Sequence, residues 1–435
     1  VFGVSDPKPD LVKPTRAPSD EVRVQMLNRL VRWRYAVIAA AFVLFALVGD
    51  KDDGDLEFFT QALHILGQGG SQGGLHLYAV RPDIQIGPLA ILGTGLLDLV
   101  CGGKIVFAVV AGSLVLLLLL VRSLERLMDE EGFDEQQART ALLIGGVVLA
   151  AAWAVAVPGW GHIDDLAALT AMVMTLRAVR SGRAVWAGVL LAVALGCKPW
   201  GGYACALLLM LPPGRRRAAI ATFVGGALAC WGPFVIGAPH TISALSHFSL
   251  QAIFGSLPLQ LGYASAPAWV RPGQVALSTA LLVACWHYRR WDLGLLVVAV
   301  SRLILDAGVF PYYDVELVVG CVVADVVAAG RSTRLITATA PLSLLSWLVI
   351  TIIHDANISS TTTFAARTSL YVIVLALGAV RGARGSSAPS DRLSMGAAAL
   401  PAPRSELGVG GRMAGSIQAA ERPTHIGTMA RPQRP

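Results

Sequence analysis

Residues 105–121, "IVFAVVAGSLVLLLLLV", carry no charged side chain. A bilayer crossing needs roughly 17–25 such residues in succession, because a helix rises only about 1.5 Å per residue across a hydrocarbon core about 30 Å thick. Comparable runs stand at 35–49, "YAVIAAAFVLFALVG", and at 141–158, "ALLIGGVVLAAAWAVAVP". Inside a membrane the backbone must satisfy its own hydrogen bonds, so each run predicts a helix. Composition agrees: 55% of residues are hydrophobic and 14% charged, about half the charged share of an ordinary soluble domain. The fold class expected is an all-α polytopic membrane protein. The six cysteines stand singly in or beside apolar runs, with neither disulfide nor metal spacing, and read as small hydrophobes.

Lys and Arg accumulate on the cytoplasmic side of short loops. Basic clusters occur at Arg32 and Arg34, Arg122 and Arg126, 177–183, 215–217, 289–290, 331–334 and 381–384. Placing all of them inside makes 50–103, 158–165, 198–200, 237–272, 310–314 and 354–367 the outer turns. The pattern closes if 86–100, short and interrupted by Gly and Pro, dips into the outer interface instead of crossing it. A bundle of about twelve spans results, with both termini cytoplasmic. Residues 1–32 form a polar, basic segment unlike a secretory signal, 33–381 the transmembrane domain, and 382–435 a cytoplasmic tail of disordered composition. The formal charge of +7 is used by topology and tails, so no nucleic-acid partner is implied.

The acids lean outward. Asp50, Asp52, Asp53, Asp55, Glu57, Asp83, Asp164, Asp165, Asp306, Asp314 and Asp355 all fall at outer span ends. A solvated rim explains some of them. It explains less well those set in apolar surroundings, where an ionisable group costs roughly 2.5–3.5 kcal/mol. The first outer loop, the longest, carries "DLEFFTQALHILGQGG" (55–70). Leu56, Phe59, Leu63 and Leu66 share one face at helical spacing, which describes an amphipathic helix at the interface. Asp55 stands where a carboxylate would cap that helix, and capping accounts for it as well as chemistry does.

Three polar clusters therefore face outward: "DKDDGDLE" with "RPDIQ", "GWGHIDD" opposite "CKPWGGY", and "SRLILDAGVFPYYD" (301–314). Lys198 sits at the apex of two short apolar segments, 184–197 and 200–213, so the tip is expected below the outer surface. Arg302 and Asp306, four residues apart, share a helix face and suit an ion pair. Acids with a few fixed cations at membrane depth suit a substrate that is itself a phosphate-bearing lipid. Lys198, Arg302 and Arg81 would hold the phosphate. A carboxylate would take the proton of an incoming hydroxyl while a sugar leaves, since glycosyl transfer needs a base at the acceptor and charge stabilisation at the leaving group.

A first span followed by "DGDLEFFTQALHILGQGG…LHLY…RPDIQIGPLA" resembles the opening of the GT-C superfamily of integral-membrane glycosyltransferases. "GWGHIDDLAAL" looks like that family's second polar turn. "LAGV…LGCKPWG" is similar to the helix-Lys-Pro hairpin of its polyprenyl-phosphate-mannose mannosyltransferase branch, and "RLILDAGVFPYYD" to a late outer motif. The likeness covers roughly residues 33–380 and is stronger in layout than in motif. It implies a GT-C-like bundle and transfer of a sugar, mannose foremost, from a polyprenyl-phosphate donor to a glycolipid or glycan acceptor at the outer face. Carried over by position, it makes Asp55 the catalytic base, with Asp53 and then Asp50 as competitors. It sets His162 and Asp164 along the sugar or acceptor cavity, with Asp165 turned away. Tyr312 and Tyr313 fall in the late outer motif and join the sugar or acceptor set. Neither metal nor other cofactor is expected: "DKDD" is a weak metal signal, although acidic pairs bind divalent ions through oxygen.

The rival class is a secondary transporter or lipid flippase, with ionisable groups near the midplane on broken helices. Asp325, in the middle of an apolar helix, and Arg302 fit it best. A third class, a non-catalytic scaffold, makes the outer acids dispensable. Trp153, Trp160, Trp200, Trp269 and Tyr263 read as interfacial anchors, and Trp160 and Trp200 are also placed to stack on a sugar ring.

Overall fold

The computed structural model describes residues 25–26, 28–48, 56–159, 161–308, 310–331 and 359–385. The first-loop acids Asp50, Asp52, Asp53 and Asp55, together with Trp160 and Asp355, lie outside them. Among the described residues every extended element is a helix, and β-pairing is limited to one isolated bridge between Gln251 and Ser265.

The longer helices in chain order are α1 (Arg34–Val48), α2 (Leu56–Gly67), α3 (Pro88–Val100), α4 (Ile105–Glu130), α5 (Glu135–Ala154), α6 (Ile163–Arg180) and α7 (Ala184–Cys197). A 3-10 helix at Pro199–Met210 is followed by α8 (Pro213–Gly237), α9 (Val270–His287), α10 (Gly294–Leu305), α11 (Asp314–Arg331) and α12 (Ser360–Gly385). Among the described residues four segments are long and apolar enough to cross a membrane: Ile105–Glu130, Glu135–Val157, Pro213–Gly237 and Ser360–Val380. Glu135–Val157 is mostly buried inside the protein, whereas Pro213–Gly237 is mostly exposed on its flank. An apolar helix that turns outward in this way suits a lipid environment and no aqueous one.

Short turns join α4 to α5 and α6 to α7, and polar groups collect at two ends of the helices. At one end Glu125 of α4, 4% exposed, is shared by four side chains. It pairs with Arg34, accepts from Tyr35, takes Arg122 at 2.9 Å and faces Arg139 at 3.8 Å. Nearby, Arg177 and Arg180 at the C-terminus of α6 pair with Glu130 at 2.6 Å and Glu131 at 2.7 Å. Basic groups there also suit the negative end of the helix dipole. Arg290 closes this end by donating to the carbonyls of Gly378 and Ala379 on α12.

The opposite end is built from breaks. Helix α5 finishes in a π-helical turn at Val155–Gly159, just before Gly161 at φ +76°. Pro at 158 removes one backbone donor and loosens the ladder there. Lys198 precedes Pro199 and takes the extended conformation that a pre-proline residue favours, φ −144° and ψ 127°. That ends α7, and Pro199 at the first position opens the 3-10 helix. Twelve residues of 3-10 helix rise roughly 24 Å, against about 18 Å for α-helix. The short arm of the hairpin is lengthened accordingly.

Helix α2 has the amphipathic face expected of it: Leu56, Phe59 and Ala62 are buried. It packs on protein, since Leu63 fills the space beside Gly95 of α3. Helix α3, with 13 residues, is about 20 Å long, one of several apolar helices shorter than a bilayer crossing. Its leading residue Gly87 donates to the Cys197 carbonyl at 2.8 Å, which ties α3 to the Lys198 hairpin. Trp153 departs from expectation. It is fully buried, and its Nε1 donates to the Ser113 carbonyl at 3.0 Å, so it is a core residue between α4 and α5 and no interfacial anchor. Trp269 and Tyr263 are exposed.

Candidate functional site

The second and third polar motifs meet in one buried cluster. Asp164 and Asp165 occupy the first turn of α6, where the helix dipole favours negative charge. The Lys198 ammonium reaches down from the hairpin tip to 2.5 Å from Asp164 Oδ2 and 3.1 Å from Asp165 Oδ2. Trp200, two residues on, donates from Nε1 to Asp165 Oδ1 at 2.7 Å. His162 lies at the rim, its side chain 11% exposed, with Nδ1 3.2 Å from Asp165 Oδ2 and 3.6 Å from Asp164 Oδ1. The Tyr312 ring stacks on that imidazole with centroids 3.7 Å apart.

Arg302 extends the cluster. Its guanidinium lies 4.8 Å from the Trp200 ring and 4.2 Å from the Tyr313 ring, within cation–π range. It faces Asp306 at 3.4 Å and pairs with Glu316 of α11. Gln274 of α9 donates to the Arg302 carbonyl at 3.1 Å and accepts from Tyr203 at 3.0 Å. Asp164 is 0% exposed, Lys198 9% and Arg302 4%. Charges this deeply placed must be paired to be tolerated.

The sequence-predicted residues therefore divide. His162, Asp164, Lys198, Trp200, Arg302, Tyr312 and Tyr313 come together. Asp165, expected to turn away, is a full member through Trp200, Lys198 and His162. With Lys198 at the end of α7, Trp200 in the 3-10 helix and His162 around the first turn of α6, both adjacent acids find partners. Arg81 stands elsewhere, bonding Asp83 at 2.5 Å and Gln61 at 2.8 Å beside α2. The Arg81 guanidinium holds the Asp83 carboxyl below the usual carboxylate range. Asp53, Asp55 and Trp160 lie outside the described residues, but the residue after Asp55 does not. Leu56 packs directly on Gly161, whose left-handed φ suits glycine. The start of α2 thus abuts the residue before His162.

Glu316, Gln274 and Tyr203 were not singled out from the sequence. The signal available was a lone polar residue in an apolar helix, as in "RPGQVALSTALL" and "DVELVV".

The charge balance limits the chemistry. Asp164, Asp165, Asp306 and Glu316 face only Lys198 and Arg302, so the described cluster is two units negative when His162 is neutral. Lys198 and Arg302, two of the three cations expected to hold a phosphate, are closed by carboxylates in this arrangement, and an anion would have to displace them. Comparison with family models, with curated proteins and with solved structures gives no match.

Proposed function

We propose that the chain is a membrane-embedded glycosyltransferase that moves a sugar, most simply mannose, from a polyprenyl-phosphate donor to a glycolipid or glycan acceptor at the outer face. The observation that carries this reading is the contact between Leu56 and Gly161. It joins the first outer loop, which holds the candidate bases Asp55 and Asp53, to the cluster containing His162, Asp164 and Lys198. Transfer needs a base beside the acceptor hydroxyl and charge compensation at the leaving phosphate. A loop carboxylate supplies the first. Lys198 and Arg302 supply the second once the donor phosphate takes over part of their pairing with acids. Trp200, Tyr312 and Tyr313, packed on Arg302 and His162, bring aromatic rings to the cluster where a sugar would bind. In this reading the chain crosses the cell membrane about twelve times with both ends cytoplasmic, and the Glu125 end faces inward.

Purified protein in liposomes, offered radiolabelled polyprenyl-phosphate mannose and an envelope-lipid extract, tests the proposal with wild type beside Asp55→Asn. Transfer by wild type alone, with donor binding retained by the variant, is the expected result. Transfer by both moves the base to Asp53. Transfer by neither, with lipid or solute crossing the liposome wall, replaces this reading by a secondary transporter or flippase. One observation favours that alternative: the deep cations are already paired with acids, as in carriers that exchange ion-pair partners.

A further inference from the structure

We propose that His162, Asp164 and Asp165 bind one divalent transition-metal ion of the manganese or zinc kind. Their ligand atoms all lie within 4.8 Å of one another. His162 Nδ1 is 3.6 Å from Asp164 Oδ1 and 3.2 Å from Asp165 Oδ2. An ion with bonds of about 2.0–2.2 Å holds neighbouring ligands roughly 3.0–3.6 Å apart. The imidazole is already at that spacing from both carboxylates.

Each carboxylate is gripped most closely through one oxygen. Lys198 holds Asp164 through Oδ2 at 2.5 Å, and Trp200 holds Asp165 through Oδ1 at 2.7 Å. The oxygens nearest His162 Nδ1 are therefore Asp164 Oδ1 and Asp165 Oδ2. Both atoms are buried; Asp165 Oδ2 has the Lys198 ammonium at 3.1 Å, whereas Asp164 Oδ1 accepts no hydrogen bond among the described residues. A buried acceptor left in that condition is costly, and a cation between the two removes the cost. Outer contacts that fix ligand orientation in this manner are the usual support of a metal site. The Tyr312 ring stacked on His162 adds to it by setting the imidazole plane.

Charge gives the same answer independently. With His162 neutral, as a metal ligand must be, the described cluster is two units negative with Lys198 and Arg302 both counted. One divalent ion balances it. Mixed imidazole and carboxylate ligands favour manganese or zinc over calcium or magnesium, which prefer oxygen alone. Three protein ligands leave coordination positions for water or a substrate oxygen. Lys198, 3.1 Å from Asp165 Oδ2, competes with the ion for that oxygen, so removing its charge tightens binding.

The ion site stands whether or not the chain transfers sugar. Full-length protein in detergent, stripped with chelator, is titrated with Mn2+ while the six-line resonance of the unbound ion is followed, and Zn2+ is then added in competition. The expected result is one Mn2+ per chain, displaced by Zn2+. Binding weakens by at least about tenfold in His162→Ala and Asp164→Asn and tightens in Lys198→Met, each variant being monodisperse on gel filtration. No binding by wild type and by Lys198→Met up to millimolar Mn2+ overturns the proposal. So does binding unchanged in His162→Ala. Ion binding without sugar transfer upholds the site and removes the transferase. Sugar transfer by protein that binds no Mn2+ does the reverse.

Discussion

Leu56 occupies the space that a side chain on Gly161 would need. A Cβ there would stand 2.8 Å from Leu56 Cγ and 3.1 Å from its backbone nitrogen, and Gly161 sits at φ +76°. Two separate penalties therefore fall on any substitution. Gly161→Ala is expected to lose about 1–2 kcal/mol from the left-handed backbone alone, with more from the clash. The measurement is the thermal midpoint in detergent. An unchanged midpoint would mean that the first loop does not rest on this turn.

Lys198 neutralises two acids at once. Lys198→Met leaves Asp164 and Asp165 buried without their ammonium, and breaking a buried pair from one side costs about 3–5 kcal/mol. Lys198→Met combined with Asp164→Asn is expected to recover part of that loss, because one uncompensated charge disappears with its partner. A double-mutant cycle on thermal unfolding reads the coupling. Additive losses would show that the contact carries no energy of its own.

Much of this site was legible in the sequence. Apolar runs gave the helices, the Leu56, Phe59 face gave the amphipathic one, and Lys-Pro in "CKPWGG" marked the hairpin tip. The orientation of Asp165 was not legible. Neighbouring residues on a helix point about 100° apart, and only a helix with polar partners on several sides satisfies both. Glu316 and Gln274 were equally hidden, because an apolar helix does not announce which flank meets Arg302. Nor does hydrophobic pattern separate a 3-10 helix from an α-helix when both flanks are buried, as at Pro199–Met210. Trp153 was misread because position along a span does not fix which way a ring points.

Glu125 gathers Arg34, Tyr35, Arg122 and Arg139 from α1, α4 and α5. Glu125→Gln keeps the shape and removes the charge, leaving Arg34 buried at 8% exposure. The expected loss is about 3–5 kcal/mol. If this end is structural, the fraction of folded variant molecules falls while activity per folded molecule is retained. A selective fall in activity with an unchanged midpoint would contradict that assignment.

Asp83 has its carboxyl lowered by the Arg81 hydrogen bond. A lowered folded value stabilises the folded state above the unfolded carboxylate range, near pH 4. That contribution is lost as pH falls through the folded value. Both side chains are about a third exposed, so screening holds it below about 1 kcal/mol. Wild type should exceed Asp83→Asn in midpoint at pH 7, and the two should converge at the acid end. A gap that widens on acidification would reverse the sign and contradict the pairing.

Trp200 serves the cluster in two ways that separate by substitution. Its Nε1 donates to Asp165 Oδ1 at 2.7 Å, and its ring lies 4.8 Å from the Arg302 guanidinium. Trp200→Phe removes the donor and keeps an aromatic face, so it should lose about 1.5–3 kcal/mol, the range for a hydrogen bond to a charged group. Trp200→Leu removes both and should lose a further ~0.5–2 kcal/mol from the cation–π contact. If the ring also meets a sugar, Trp200→Leu raises the KM for the donor or acceptor well beyond Trp200→Phe at equal folded fraction. Equal midpoints for the two variants would show that Arg302 gains nothing from the ring. Its position would then be fixed by Asp306 and Glu316 alone.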